Sequence, residues 1–281
     1  MRCGVLCLPD TAFGTFSGAG ESKPDVMVAL FLMLQMTSAA GWPHADAVLI
    51  PPRLAETQPQ RRWHVFLDAG HGAPGNLGNF SVLCEAEEQH TLALAEHVAM
   101  RLRETGRFIV TLSRAGAERP NYRERVRAAV ASKADVFISL HSDARGEAVY
   151  WQPSPGVSCL RNDTDPGMGV LISDEGSKPK VAQRLKLARA ISQAMGDTGF
   201  LLYGGLDWLT LYEADASRGV FIDRRPPRQR VFVLRAPKMP SVIVETHHAL
   251  DFEENARWKE PATADAFAAA LAAGLEAFFR G

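Results

Sequence analysis

Two histidines and one glutamate sit where the side chains of an α/β protein do chemistry. His71 lies just past the apolar run WHVFLD (63–68), inside the glycine-rich turn AGHGAPGNLG. His141 closes a second apolar run, ADVFISLH (134–141), and Glu245 closes SVIVE (241–245). In an open α/β sheet, ligands bind outside the carboxyl ends of the strands, so metal- or proton-handling groups at three strand ends can converge on one spot. A lone histidine is more often a packed or hydrogen-bonded residue. Glu245 resists that reading. A carboxylate that follows Val242, Ile243 and Val244 in a core strand must be paired or must titrate upward, which is the environment of a general base.

The intervening segments supply elements that hold such residues in place. Residues 86–105 carry Leu92, Ala95, Ala99 and Leu102 at helical spacing, and Gly106 stops the helix. RFIVTL (107–112) reads as a strand, and Tyr122–Lys133 as a second helix with Pro120 near its start. The nearly unbroken apolar run 134–141 marks a strand covered on both faces. Strand, helix, strand, helix, strand argues an α/β fold: one domain with a mainly parallel, helix-covered sheet. A helix around 181–196, strands at 230–235 and 241–245, and a helix at 262–280 with Phe267, Leu271, Leu275 and Phe278 on one stripe complete the expectation. Residues 152–180, rich in Gly, Pro, Asp and Ser, read as an ordered insertion or long loop.

Composition narrows the function classes. The 281 residues are 46% hydrophobic and 22% charged, and 31 basic against 32 acidic residues give a net charge of −1. The basic excess of a nucleic-acid binder is missing. Four cysteines without a C-x-x-C pair exclude a disulfide scaffold and a thiolate zinc finger. The run VMVALFLMLQM (26–36) is too short to span a bilayer but suits the apolar region of a signal peptide, with TSAAG after it. Residues 1–40 are therefore expected to be a leader, with Met27 as an alternative start and a buried helix as the alternative reading. Residues 41–62 are expected to be a linker and 63–281 the catalytic domain. After loss of the leader Cys84 and Cys159 remain, and an oxidising periplasm would allow them to pair.

The segments FLDAGHG, EAEE, FISLHSDA and VFVLRAPKMPSVIVET, in this order over residues 63–281, resemble the zinc-dependent N-acetylmuramoyl-L-alanine amidases that cleave bacterial cell wall. The resemblance implies a three-layer α/β/α domain like that of zinc exopeptidases. It implies Zn2+ held by His71, by a glutamate opening the next helix and by His141, with Glu245 as catalytic acid/base. The family places Leu, Ala and Gly five, eight and nineteen residues after the glutamate ligand. From Glu87 these fall on Leu92, Ala95 and Gly106, whereas from Glu85 they fall on His90, Ala93 and Glu104 and from Glu88 on Ala93, Glu96 and Arg107. Asp68 is either a second-layer partner of a ligand or a turn residue. The chain departs from the family at Asp143, where Asn is usual, and at Thr246-His247-His248, where a Gly-Phe turn is usual. The two histidines there read as a polar loop, as substrate contacts, or as a replacement ligand.

The substrate implied is peptidoglycan, in the periplasm or cell envelope, with no nucleic acid and no stable membrane span in the mature chain. With no wall-binding repeat in the sequence, targeting falls to the catalytic domain or to a protein activator. Arg224, Arg225, Arg228, Arg230 and Arg235 form either a rim for stem-peptide carboxylates or a solvated basic loop. Some relatives carry an inserted helix over the zinc, and residues 152–215, with the helix at 181–196, are long enough for such a lid. Two alternatives remain: a zinc amidohydrolase or carboxypeptidase acting on small N-acyl amino acids or peptides, and an inactive relative that only binds cell wall.

Overall fold

The computed structural model describes residues 41–281 except Ala45, Gln58 and Leu209, so the readings of the leader and of its start lie outside the described residues. Among the described residues nine strands and six α-helices follow one another. They are β1 (Trp63–Ala69), α1 (Glu87–Glu104), β2 (Phe108–Leu112), α2 (Tyr122–Ala131), β3 (Val136–Asp143), β4 (Val149–Ser154), β5 (Val157–Arg161) and β6 (Gly169–Ser173). After these come α3 (Lys178–Thr198), β7 (Tyr212–Ala214), β8 (Val220–Asp223), α4 (Phe232–Arg235), β9 (Ser241–His248), α5 (Phe252–Trp258) and α6 (Pro261–Arg280). The main sheet has the order β2-β1-β3-β9-β6-β8-β7, and β4 and β5 form a separate hairpin.

Strand period sorts the side chains into two layers. Val65, Leu67, Ile138, Leu140, Val242 and Val244 face the larger core, which is covered by α1, α3 and α6. Their alternates Phe66, Phe137 and Ile243 face a smaller core with Ala129 of α2 and Val233 and Leu234 of α4. The result is a helix-covered, mainly parallel sheet. Strands β1, β2, β3 and β9 run parallel. β6 pairs antiparallel with β9, and β8 runs parallel to β6. The carboxyl ends of β6 and β8 therefore lie at the end of the sheet opposite to those of β1, β3 and β9.

Several expectations change. Residues 230–235 are not a strand: α4 makes one helical turn there, burying Val233 and Leu234 in the smaller core. Residues 152–180 are not one loop, because they hold part of the β4–β5 hairpin and β6, an interior strand buried along its whole length. The helix expected at 181–196 is α3, whose Leu187, Ala188, Ile191 and Met195 are buried in the larger core. A helix built into the core layer cannot be a detachable lid. The stretch 41–62 is more than a spacer: Trp42 is buried edge-on against Phe200, and Leu49 and Leu54 pack on the core. α6 is the one helix among the described residues long and apolar enough to cross a membrane, and its apolar face is packed in the core.

Candidate metal centre

The turn after β1 bends through His71, a non-glycine residue at φ 57°, and aims its ring at the first turn of α1. His71 Nε2 lies 3.0 Å from Glu87 Oε2, and His141 Nδ1 lies 3.0 Å from Glu87 Oε1. One ligand atom from each of the three residues lies within 4.8 Å of the others. Two imidazole nitrogens and one carboxylate are the donor set of a catalytic zinc site with an open fourth position, so the residues present fit that ion. Glu85 and Glu88 are drawn elsewhere, Glu85 to Lys259 and Glu88 to Arg119.

Glu87 is nearly fully buried, and its carboxylate is saturated with donors. Oε2 accepts from the Asn79 backbone amide (3.0 Å) and from Asn79 Nδ2 (2.9 Å), and Oε1 accepts from the Ser142 amide (3.0 Å). Burial alone would raise its proton affinity, but the neighbouring His141 and His71 rings hold the carboxyl below the usual carboxylate range. Gly70 and Gly78 leave the room. A Cβ on Gly70 would lie 2.6 Å from the His141 ring, and one on Gly78 would lie 2.5 Å from Glu87 Oε2. Arg114, buried, donates to the carbonyls of Ala69 (3.1 Å), Gly70 (3.0 Å) and Glu88 (2.7 Å) and so ties the turn to the start of α1.

Glu245 and His141 are register partners on parallel β9 and β3, so their side chains leave the sheet on the same face. Glu245 Oε2 is buried without a hydrogen-bond partner among the described residues. Burial, and next the charge of Asp143, then Glu87, push the Glu245 carboxyl well above its ordinary value, while Arg145 opposes. Asp143 stands 3.3 Å from Arg145 Nε, and burial pushes its carboxyl up to about 6. Arg145, itself buried, stacks 3.8 Å over the Tyr203 ring.

The remaining sequence candidates fall in distinct places. Asp68, fully buried, accepts from Ser139 Oγ (2.6 Å), and Ser139 Oγ in turn lies 3.1 Å from His141 Nε2. His247 packs on Trp258 and His90, and His248 Nδ1 reaches the Asp143 carbonyl at 3.4 Å; neither belongs to the three-residue cluster. The arginine group follows β8, whose carboxyl end lies opposite to that of β9, and Arg225 lies 4.9 Å over the Tyr212 ring. There Arg224 pairs with Asp174 (2.7 Å), Arg225 with Asp223 (3.1 Å) and Arg230 with Asp174. Cys84 and Cys159 are joined, tying the β4–β5 hairpin to the loop before α1. Sequence reasoning missed Asn76, Asn79, Arg114, Arg125 and Ser139. Only the polar residues following the histidine turn could have signalled the first two.

The family profile of N-acetylmuramoyl-L-alanine amidases matches residues 65–277. N-acetylmuramoyl-L-alanine amidase AmiC of Neisseria meningitidis serogroup B is 27% identical over 255 residues, 81% of this chain and 55% of that protein. The chain thus spans about half the length of this relative. Among solved structures, the N-acetylmuramyl-L-alanine amidase Ami1 of Mycobacterium smegmatis superposes with a TM-score of 0.61 at 19% identity, covering 78% of this chain and 98% of that one. The CwlD amidase of Clostridioides difficile, in complex with the GerS lipoprotein, superposes with a TM-score of 0.52 at 15% identity, over 78% of this chain and 99% of that one.

Proposed function

The chain belongs to the N-acetylmuramoyl-L-alanine amidase family, and from that premise we propose that it is a zinc-dependent peptidoglycan hydrolase. The bond it cuts joins the lactyl group of N-acetylmuramic acid to the L-alanine of the stem peptide. One observation carries the reading: His71, Glu87 and His141 offer three ligand atoms within 4.8 Å, at the strand end where Glu245 stands. These three residues would hold the metal. Zinc bound there supplies Lewis acidity, polarising the scissile carbonyl and easing deprotonation of the attacking water.

The chain's own residues do the rest. The Glu245 carboxylate takes the water's proton and delivers it to the leaving amine. Its raised proton affinity, caused first by burial, makes it a stronger base than an ordinary carboxylate. The Cys84–Cys159 disulfide favours an oxidising compartment, which supports export to the periplasm or cell envelope. The complex of the CwlD neighbour with a lipoprotein supports a protein partner here.

The test incubates the purified protein with zinc and intact cell-wall sacculi, labels newly exposed amino termini and compares Glu245→Ala. New L-alanine termini, lost in the variant with zinc still bound, are expected. Cleavage of soluble N-acyl amino acids but not of sacculi or their fragments would favour the small-substrate amidohydrolase. Failure of the wild-type protein to bind zinc would overturn the metal reading.

A further inference from the structure

We propose that helix α2 is a positioning element of the metal centre, fixing through Tyr122 and Arg125 which nitrogen each histidine turns inward. The inference rests on the metal reading of His71, Glu87 and His141. Tyr122 and Arg125 are three residues apart in the sequence, hence on one face of the helix. Two separate chains of hydrogen bonds lead from that face, one to each imidazole.

The first chain runs to His71. The Gly78 amide donates to Asn76 Oδ1 (3.2 Å), which establishes that this atom is the oxygen. The same oxygen lies 2.7 Å from His71 Nδ1, so the ring must carry its hydrogen there and donate. Asn76 Nδ2 in turn donates to Tyr122 OH at 2.8 Å. With Nδ1 protonated, His71 Nε2 faces Glu87 with its lone pair.

The second chain runs to His141 and yields the opposite tautomer. Asp68 is a register partner of Ser139, and both are fully buried. Because a carboxylate only accepts, Ser139 gives its hydroxyl hydrogen to Asp68 Oδ2 (2.6 Å). Ser139 Oγ can then only accept from His141 Nε2–H at 3.1 Å, which leaves the lone pair on Nδ1, beside Glu87 Oε1. Arg125, fully buried, donates to the other Asp68 oxygen (3.0 Å) and to the Ala69 carbonyl (2.8 Å), and its second Nη donates to the His71 carbonyl. Two lone pairs and a carboxylate therefore converge, an arrangement that repels itself unless a cation stands between them. A ligand's outer hydrogen bond commonly sets its tautomer and basicity in this way.

The test measures zinc affinity of the full chain by chelator competition, and imidazole tautomers by nitrogen-15 NMR of the zinc-bound protein. Wild type is expected to show His71 protonated at Nδ1 and His141 at Nε2. Ser139→Ala should weaken zinc binding roughly 10- to 100-fold, the usual range for outer-layer partners. Ser139→Thr, keeping the hydroxyl, should restore most of it. Tyr122→Phe should weaken binding several-fold, and its effect should multiply with that of Ser139→Ala, because the two act on different rings. Arg125 and Asp68 are left intact, since breaking a fully buried ion pair endangers the fold. Wild-type zinc affinity in both Ser139→Ala and Tyr122→Phe, or one shared tautomer in the two histidines, would overturn the inference while leaving the metal reading standing. Absence of zinc binding in wild type would overturn both.

Discussion

Gly70 illustrates how little freedom the metal turn has. An added Cβ would lie 2.5 Å from the Leu140 carbonyl and 2.6 Å from the His141 ring, and neither the strand backbone nor a ring held on both nitrogens can yield. Gly70→Ala is expected to lower stability by about 1–3 kcal/mol and to weaken zinc binding at least about tenfold. Gly204→Ala, where nothing lies within 4 Å, should leave both unchanged. Thermal unfolding and zinc titration of the two variants check this; equal behaviour would remove the steric argument. The contrast also marks what a sequence discloses at this scale. His71, His141 and Glu245 could be singled out because each stands at the end of an apolar run. Ser139 and Arg125 could not, because their work depends on a neighbouring strand and on a helix 57 residues from Asp68.

Among the elements, the stack joining α1, β9 and α5 has a consequence for acid stability. His90 lies edge-on to His247 (ring centroids 4.9 Å apart) and to Trp258 (5.5 Å). Burial pulls its pKa from 6.5 down to about 4; Lys259 adds to this, while Glu87 and Glu85 oppose it. Between those values the unfolded chain binds a proton that the folded chain refuses, so stability is complete above pH 6.5 and falls as the pH drops towards 4. The contribution is at most about 3 kcal/mol. Urea unfolding of the metal-free protein at pH 7.5 and pH 5 should show this loss, and His90→Phe, which keeps the ring packing, should shrink it. An unchanged pH dependence in the variant would count against the assignment. Elements, like residues, were only partly legible. The long amphipathic helices and strands β1, β3 and β9 announce themselves by period and apolar run. The run VFVLR reads as a strand by composition, yet Pro226, Pro227, Pro237 and Pro240 bracket it, and the chain makes a single helical turn. β6 is only five residues long and antiparallel to β9, and no local pattern specifies a strand's direction.

Across the whole molecule, β6 and β8 run against β1, β2, β3 and β9, and this sorts the loops between the two ends of the sheet. The arginine-rich loop leaves from the carboxyl end of β8, whereas the loop before α1, which leads into Glu87, is tied to the β4–β5 hairpin. That hairpin lies outside the main sheet. Its inner face is fixed by Trp151 Nε1 donating to the Val82 carbonyl (2.7 Å), by the edge contact of Trp151 with Phe252 (5.5 Å), and by the Cys84–Cys159 bond. Tyr150 and Leu160, opposite one another on the outer face, stay exposed. The disulfide spans 75 residues and starts three positions before Glu87, so it restrains the unfolded chain and anchors the loop that carries the ligand. Replacing both cysteines by serine should cost about 2–4 kcal/mol. The sheet and both of its cores lie elsewhere, so the main fold should persist. Zinc affinity should fall less than in Ser139→Ala, because Glu87 keeps its hydrogen bonds to Asn79 and Ser142. Thiol titration of the unreduced protein should find neither cysteine free, and denaturant unfolding with and without reductant should reproduce the variant's loss of stability. If reduction left stability unchanged, Trp151 and its contacts alone would be holding the hairpin, and the loop before α1 would owe its shape to Ser81, whose Oγ accepts from the Leu83 (3.2 Å) and Glu85 (3.3 Å) amides.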